Sequence, residues 1–367
     1  MARLGISIYP EQSVLEEDLS YIRMAGKYGY QRVFTCLLSA GEKTKEELTE
    51  EFRLRIDEAH RQGHYYWGME VILDVNPAVF AKLGASYENL EAFAEMHADG
   101  IRLDEGFDGM KTSRLSYNPQ GLKVELNAST EMGYIEDVMS HFPDRKKLIT
   151  CHNFYPQKYT GISLEHFTKC GEYIHSHGLN IAAFISSNQP GAYGPWPVNE
   201  GLCTLEMHRG LPADFQTRHL FATGLADDVI LANAYGSEEE LKTCASVNPS
   251  VLTFSMIPEK ELTETERKIL YFEEGHVVRG DMSEYMLRST WPRVTFAGES
   301  IPAANTRDMV RGDVVILNDG YGRYKGELHI VLKDMPNDGR KNVIGHLPGY
   351  EQILLQYAKP WKPVALL

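Results

Sequence analysis

Short apolar runs alternate with longer amphipathic stretches along most of the chain, and this alternation constrains the fold more than any other feature. Such a pattern is typical of a parallel sheet whose strands are joined by helices. It predicts eight strands, near residues 3–9, 30–37, 65–73, 100–104, 122–127, 147–153, 179–186 and 227–233. Eight strand–helix units over about 245 residues favour a closed (β/α)₈ barrel, the TIM-barrel fold.

Helix signals lie between these strands. Helices are predicted over residues 45–62, 131–141 and 163–177. Thr44 and Ser163 stand where N-caps are expected, and Gly63 and Gly178 stand where a glycine ends a helix. An open doubly wound sheet is the alternative fold, but it would usually have a glycine-rich phosphate turn after its first strand. Tyr9-Pro10 occupies that place, so the barrel is favoured.

The pattern changes after Asn248-Pro249. A further strand is predicted over residues 251–257 and a helix over 261–271, followed by short β runs separated by Gly, Pro and Asn-Asp. We therefore predict a barrel domain over residues 1–250 and a small β-rich domain over residues 260–367.

The charge balance bears on the partners. The chain carries 37 Lys and Arg against 51 Asp and Glu, a net charge of −14, which argues against nucleic acid or an anionic membrane surface. Residues 281–367 are nearly neutral, with 11 basic against 10 acidic residues. An anionic small-molecule substrate would therefore find its more favourable host in the C-terminal segment.

Sequence patterns typical of secreted, membrane and disulfide-rich proteins are absent. The N-terminus lacks the apolar stretch of a signal peptide, and no run approaches the ~20 apolar residues of a membrane helix. Five scattered cysteines indicate neither a disulfide framework nor a zinc knuckle, and Cys36 and Cys151 are better explained by core packing than as nucleophiles. We expect a cytoplasmic protein without metal or cofactor, and a homo-oligomer stays open.

Catalytic residues of a barrel stand at the carboxyl ends of its strands. The fourth predicted strand ends in Arg102-Leu103-Asp104-Glu105, which places two adjacent carboxylates at this rim. Such a pair suits a glycosidase acting on a 2-acetamido sugar. One carboxylate orients the acetamide, whose oxygen attacks the anomeric carbon, and the other protonates the leaving oxygen. We predict that Asp104 and Glu105 are catalytic.

Other polar residues near predicted strand ends are candidates for substrate binding. They are Glu70, Asn127, His152, Asn153, Tyr155 and Asn188. Buried-facing Glu70, Arg102 and Glu125 could equally brace the barrel interior, because charges inside a barrel are costly unless they pair. The loop of residues 189–197 contains Trp196 and is either an aromatic rim for a sugar ring or a well-packed loop.

The C-terminal segment holds a second concentration of polar residues, which suits capture of a phosphate or carboxylate. The candidates are Arg279, Arg288, Arg311, Asn318, Tyr321, Arg323, Tyr324 and Glu327. The alternative is that Arg–Asp pairs only stabilise surface turns. Arg323 and Tyr324 are the preferred phosphate contacts.

Four motifs in both predicted domains resemble the 6-phospho-N-acetylmuramidase family: residues 5–10 (GISIYP), 103–107 (LDEGF), 152–156 (HNFYP) and 318–328 (NDGYGRYKGEL). The resemblance implies a barrel followed by a cyclophilin-like β domain that contributes to the substrate site. It also implies an exo-hydrolase that splits N-acetylmuramic acid 6-phosphate from N-acetylglucosamine during cytoplasmic recovery of cell-wall fragments.

Two other functions stay open. One is a sugar-phosphate-binding or regulatory protein without catalysis, which would not need paired carboxylates at the rim. The other is a barrel isomerase or aldolase acting on a sugar phosphate. A Schiff-base aldolase needs a lysine at the carboxyl end of a strand. Lys123 and Lys147 instead stand where strands begin.

Overall fold

A computed structural model of the protein describes residues 2–37, 43–62, 68–103, 108–130 and 132–367. These residues form two compact units, Met1–Val247 and Asn248–Leu367. Each unit contains its own sheets, so the two are described separately below.

The first unit is a closed barrel of eight parallel strands. The strands are β1 (Arg3–Ile8), β2 (Arg32–Leu37), β3 (Glu70–Val75), β4 (Gly100–Leu103), β5 (Lys123–Asn127), β6 (Leu148–Cys151), β7 (Ile181–Ile185) and β8 (Asp228–Leu231). β1 pairs with β8 as well as with β2, which closes the sheet. The predicted TIM barrel is confirmed, and the open-sheet alternative is wrong.

Helices follow the strands around the outside of the barrel. They are α1 (Leu15–Lys27), α2 (Lys45–Arg61), α3 (Pro77–Lys82), α4 (Glu91–Glu95), α5 (Gly109–Leu115), α6 (Met132–Ser140), α7 (Leu164–Ser176), α8 (Ala213–Thr223) and α9 (Glu238–Ala245). Thr44 and Ser163 cap α2 and α7 as predicted. Gly178 follows α7 with φ +72°, a conformation that favours glycine. Gly63 lies outside the described residues.

Side chains of β3 show how alternation builds the interior. Val71, Leu73 and Val75 belong to the main hydrophobic core, which lies between the strands and the helices. Their neighbours Glu70 and Asp74 point to the opposite face, into the barrel. Period-two alternation therefore assigns apolar residues to the helix-facing side and leaves the inner face for polar groups.

A network of charges occupies the amino-terminal end of the barrel. Arg32, 1% exposed, pairs with Asp228 at 2.7 Å and also with Glu125. Arg3 contacts Asp228 at 2.6 Å and Glu70 at 3.0 Å. Burial opposes ionisation of Asp228, but Arg3 and Arg32 outweigh it and hold its pKa below the usual value. Each buried carboxylate of the network is therefore matched by a guanidinium.

The second unit is built mainly from short antiparallel strands. Its five-stranded sheet has the order β10 (Ile257–Pro258), β15 (Lys341–His346), β13 (Asp313–Leu317), β14 (Leu328–Val331) and β12 (Met286–Ser289). Its three-stranded sheet has the order β11 (His276–Val277), β16 (Pro363–Leu366) and β9 (Leu252–Phe254). The helices are α10 (Glu264–Leu270) and α11 (Pro292–Thr295).

Two predictions at the start of this unit need correction. The strand predicted over residues 251–257 is interrupted, because the backbone N–H of Ser255 donates to the Glu351 carboxylate at 2.6 Å instead of to a neighbouring strand. β9 and β10 consequently belong to different sheets. The helix predicted from residue 261 begins at Glu264, because Thr263 and Glu266 form a capping box there.

We predict that Arg32→Met strongly destabilises the barrel. The substitution leaves the buried Asp228 and Glu125 carboxylates without their shared partner, which is expected to cost about 3–5 kcal/mol. Urea unfolding followed by circular dichroism measures the loss. Arg53→Met is the control, since Arg53 lies on the exposed face of α2. Adding Glu125→Leu to Arg32→Met should restore part of the stability, and equal losses in the Arg32 and Arg53 variants would contradict the prediction.

Candidate active site

A cavity of about 160 Å³ opens among the carboxyl-terminal halves of the barrel strands. It is lined by Phe34, Cys36, Asp74, Arg102, Asn153, Phe154, Phe184 and Trp196. This volume is below the ~300–1,000 Å³ of sites for drug-sized ligands, so the cavity suits about one sugar ring.

An ion pair forms the polar side of the cavity. Arg102 and Asp74 are cross-strand partners on β4 and β3, and their side chains meet at 2.6 Å. Both are at least 95% buried. Arg102 also donates to the side-chain oxygen of Asn153, which follows β6. The cavity therefore presents a fixed, largely desolvated charge pair and an oriented amide.

Aromatic rings form the opposite side of the cavity. Phe34 and Phe154 each meet Phe184 edge-on, with ring centroids 5.0 and 5.1 Å apart. Trp196 is 47% exposed and comes from the loop after β7, which Tyr193 anchors by pairing with Ala234. Apolar walls lower the local dielectric, and an exposed indole face suits a sugar ring.

His152 lies behind this cavity and does not line it. The imidazole is fully buried over Phe167, with ring centroids 4.8 Å apart, and its Nδ1 lies 3.0 Å from the Ser129 hydroxyl. The same hydroxyl accepts from the Asn153 backbone N–H at 2.8 Å. Burial lowers the pKa of His152 to about 3. The neutral ring thus helps to position Asn153.

Three other candidate residues of the barrel lie at or after the ends of strands. Asn127 ends β5, and its side-chain oxygen accepts from the Ser129 N–H at 2.8 Å. Half-buried Tyr155 lies beyond β6, and burial raises its pKa. The exposed Asn188 donates to the carbonyl of Leu211. These three residues follow strand ends as expected, but none of them lines the cavity.

Glu70 is the exception among the barrel candidates. It is the first residue of β3 and pairs with Arg3 and Lys123 at the amino-terminal end of the barrel. This is the end opposite to the cavity, so the structure commits the Glu70 carboxylate to the charge network and does not bring it to the cavity. Asp104 and Glu105, the predicted catalytic pair, lie outside the described residues.

The second unit gathers several predicted residues into one cluster. Arg279 and Arg288 both contact the Asp281 carboxylate, Arg288 at 3.1 Å. The Arg279 N–H also donates to the Arg288 carbonyl at 2.9 Å. A groove of about 620 Å³ is lined by residues that include Arg279, Asp281, Trp291 and Trp361.

The other side of this cluster surrounds Glu327. That carboxylate is buried and contacts Arg293 and, at 2.9 Å, His329. The Arg293 and Arg323 guanidiniums lie 5.3 and 4.9 Å from the Tyr324 ring centroid. Arg323 also donates to the Tyr324 hydroxyl at 2.7 Å, which lowers the pKa of that phenol. We refer to Arg279, Asp281, Arg288, Arg293, Arg323, Tyr324, Glu327 and His329 as the arginine cluster.

Three C-terminal candidates are used by the fold instead. Arg311 donates to the Leu332 carbonyl at 2.8 Å. Asn318, 1% exposed, caps the turn of residues 319–324 and donates to Asn342 at 2.9 Å. Tyr321 lies under the Arg340 guanidinium, 4.3 Å from its ring centroid. Backbone and side-chain partners thus engage polar atoms of all three residues, and their contact with substrate stays a prediction.

Neither a candidate metal-binding cluster nor a disulfide occurs within the described ranges. No group of three or more His, Cys, Asp or Glu residues there could hold a metal ion. All five cysteines are buried and none forms a disulfide. Burial raises the pKa of Cys151 to about 11, so this residue stays a thiol near neutral pH.

A closed (β/α)₈ barrel with a charged and aromatic cavity at the carboxyl ends of its strands is typical of TIM-barrel enzymes. The sequence models for the N-terminal and C-terminal parts of 6-phospho-N-acetylmuramidase match residues 4–246 and 252–367. The chain therefore belongs to the 6-phospho-N-acetylmuramidase family, whose name denotes muramidase-type hydrolases. No curated protein gives a significant match.

Two solved structures are similar over their whole length. An uncharacterized B. cereus protein is 45% identical, covers 100% of both chains and has a TM-score of 0.88. A conserved Enterococcus faecalis protein of unknown function is 25% identical, covers 100% of this chain and 96% of its own, and has a TM-score of 0.73. Among the described residues, no helix is both long and apolar enough to cross a bilayer.

We predict a pH dependence of stability from His152. Its folded-state pKa is about 3, below the ordinary ~6.5 of an unfolded chain. Its contribution is therefore complete above about pH 6.5 and is lost as the pH falls toward 3, because the unfolded chain binds the proton first. Between pH 7 and 5 the loss should be about 2 kcal/mol.

The difference between variants isolates this effect from that of other groups. Urea unfolding at pH 7 and pH 5 should show a loss about 2 kcal/mol smaller for His152→Gln than for wild type. His141→Gln, at an exposed position directly after α6, is the control and should follow wild type. Identical pH slopes in wild type and His152→Gln would rule the prediction out.

Proposed function

We propose that this protein hydrolyses the bond between N-acetylmuramic acid 6-phosphate and N-acetylglucosamine, in the cytoplasm, during the recovery of cell-wall fragments. The observation that carries the proposal is the match of both halves of the family to this chain, over residues 4–246 and 252–367. The barrel cavity and the arginine cluster supply chemistry suited to an amino sugar and to its phosphate.

The reaction we propose uses the acetamide of the substrate. Asp104 orients and polarises the acetamide so that its oxygen attacks the anomeric carbon, and Glu105 protonates the departing oxygen. The two carboxylates follow β4 directly in sequence, two and three residues after Arg102, which lines the cavity. General acid catalysis by a carboxylic acid at the catalytic rim is the role that this reaction requires of Glu105.

The cavity supports this chemistry through its two contrasting sides. The Phe34, Phe154 and Phe184 rings exclude water from one side, which strengthens electrostatic stabilisation of the positive charge that develops on the sugar ring. Asn153 is held by Arg102 and by the Ser129 hydroxyl, so its orientation is fixed before substrate arrives. Trp196 offers a stacking face at the mouth.

A Schiff-base aldolase is disfavoured by the position of the lysines. Lys123 begins β5 and pairs with Glu70 at the amino-terminal end of the barrel. Lys147 directly precedes β6, and its ammonium donates to the Gly121 carbonyl. Both amines are thus placed at the end opposite to the cavity.

The second unit, we propose, binds the phosphate group through the arginine cluster. Four arginines there face only two carboxylates, Asp281 and Glu327. Arg323 and Tyr324 are exposed and offer a guanidinium and a hydroxyl on adjacent residues. Charge-assisted hydrogen bonds from arginine are the usual means of holding a phosphate monoester.

Substrates with different leaving groups distinguish the proposed roles of Asp104 and Glu105. Glu105→Gln should lower kcat by ~10²–10⁴ on the natural disaccharide, because the general acid is lost. An aryl glycoside with an activated leaving group should restore part of the rate to this variant. Asp104→Asn should be impaired on both substrates, because holding the acetamide is required whatever leaves.

Release of N-acetylglucosamine and of the aryl group measures these rates. Glu95→Gln, an exposed carboxylate on α4, is the matched control. A thiazoline mimic of the cyclised sugar should inhibit wild type strongly. Full activity of Glu105→Gln on the disaccharide would end the assignment, and trapping of a covalent sugar on the protein would replace acetamide assistance with an enzyme nucleophile. Absence of any hydrolysis by wild type would favour a sugar-phosphate-binding protein.

Arg323→Ala should reduce the preference for phosphorylated substrate. Binding energy from a remote phosphate helps to orient the reacting centre, so kcat/KM should fall about tenfold or more. The measurement is the ratio of kcat/KM for the phosphorylated and unphosphorylated disaccharides in wild type and variant. Arg340→Ala, which removes an exposed arginine paired with Asp338, is the control. An unchanged ratio in Arg323→Ala would place the phosphate elsewhere.

A further inference from the structure

Two buried nitrogen atoms lie without hydrogen-bond partners on adjacent strands of the second unit. Arg288 on β12 and His329 on β14 are directly paired residues, so their side chains leave the same face of the sheet. Among the described residues, no group hydrogen-bonds to Arg288 Nε or to His329 Nδ1. His329 is 6% exposed. A buried, unsatisfied polar atom is costly, and two on paired residues indicate a place for a ligand.

The hydrogen bond on the other side of the ring fixes the state of His329. Its Nε2 lies 2.9 Å from Glu327. Although burial opposes ionisation of Glu327, the bond from His329 and the charge of Arg293 hold its pKa below the usual value. An ionised carboxylate can only accept, so Nε2 carries the proton and donates it. In the neutral ring, Nδ1 therefore presents a lone pair.

The surroundings of His329 keep its imidazole ring neutral in the free protein. Burial lowers its pKa, the Glu327 carboxylate opposes this, and the positive charges of Arg288 on β12 and Lys341 on β15 lower it further. The paired residue on β13 is the uncharged Val315. Arg293 and His329 both contact Glu327, and Asp281 lies against Arg288. An added anion on this face would reverse the balance.

We propose that His329 contacts the phosphate group of the substrate and takes up a proton when the phosphate binds. Nδ1–H of the resulting imidazolium and Nε–H of Arg288 then each donate to a phosphoryl oxygen. The proton comes from solvent, and no covalent bond changes. This inference rests on the proposed function for the nature of the ligand, and it adds a specificity-determining residue and a proton to the binding step.

Proton uptake has a thermodynamic consequence. Between the pKa of His329 in the empty site and its higher pKa in the complex, affinity should fall up to tenfold for each unit of rising pH. A phosphate monoester is mostly dianionic at pH 7.5, since its second pKa is about 6. Uptake measured at that pH is therefore attributable to the protein and not to the ligand.

Calorimetry of the full-length protein at pH 7.5, in two buffers that differ in ionisation enthalpy, measures this uptake. The probes are N-acetylglucosamine 6-phosphate, N-acetylmuramic acid and N-acetylglucosamine, which carry a phosphate, a carboxylate and neither. Only the phosphorylated sugar should bind with uptake of a substantial fraction of a proton. Uptake with the carboxylate sugar alone would assign the subsite to a lactyl group and overturn the proposal.

His329→Gln is the informative variant, because its amide occupies the Nε2 position near Glu327 and leaves no atom at Nδ1. It should abolish proton uptake and weaken binding of N-acetylglucosamine 6-phosphate about tenfold or more. Lys333→Ala removes one positive charge from the same unit, next to Glu284, and should leave both quantities unchanged. Unchanged uptake in His329→Gln would overturn the proposal.

A measurement on wild type guards against a variant that does not fold. In ¹⁵N-labelled protein, the ring nitrogens of His329 should move to imidazolium shifts when N-acetylglucosamine 6-phosphate is added, and stay neutral with N-acetylglucosamine. A ring that stays neutral in both titrations would overturn the proposal. Failure of disaccharide hydrolysis with intact proton-linked binding would refute only the proposed function, whereas hydrolysis without proton uptake would refute only the role of His329.

Discussion

The buried guanidinium of Arg32 joins three strands that are distant in sequence. It reaches Asp228 on β8 and Glu125 on β5 from its own position on β2, inside a sheet that closes only because β8 returns to β1. Charge inside a barrel is tolerated only when each partner is present, so this contact makes the stability of the barrel depend on β2, β5 and β8 together. The closed barrel also sets the geometry of the cavity at its other end, because the pairing of β3 with β4 brings Asp74 beside Arg102.

Much of the barrel could be predicted because its strands obey a simple rule of alternation. All eight appear within a few residues of the predicted places, and caps such as Thr44 and Ser163 were readable from residue type. The start of the second unit was harder. Residues 251–257 have the composition of one strand, but a side chain far away in sequence, Glu351, takes the N–H at Ser255. Local sequence contains no sign of that partner.

The site was predictable only in part. Position after β4 singled out Asp104 and Glu105, whereas Phe34 and Phe184 look like ordinary core residues, and only their place at the carboxyl ends marks them as cavity walls. Arg311 and Arg323 are both exposed, yet Arg311 donates to the backbone carbonyl of Leu332 whereas Arg323 donates to the hydroxyl of the adjacent Tyr324. His329 lacked any motif. Its spacing of two residues from Glu327, which directly precedes β14, was the one signal available, and it gains meaning only beside Arg288.

The barrel separates its polar groups into two layers with different demands. The amino-terminal layer around Arg32 and Asp228 satisfies its own charges, whereas the layer with Arg102, Asn153 and Trp196 borders open space. Substitutions that reshape the cavity, above all in the loop bearing Trp196, therefore leave the bracing charges untouched. For an engineer seeking activity on other amino-sugar glycosides, this makes the loop the place to diversify and the amino-terminal layer the place to hold constant.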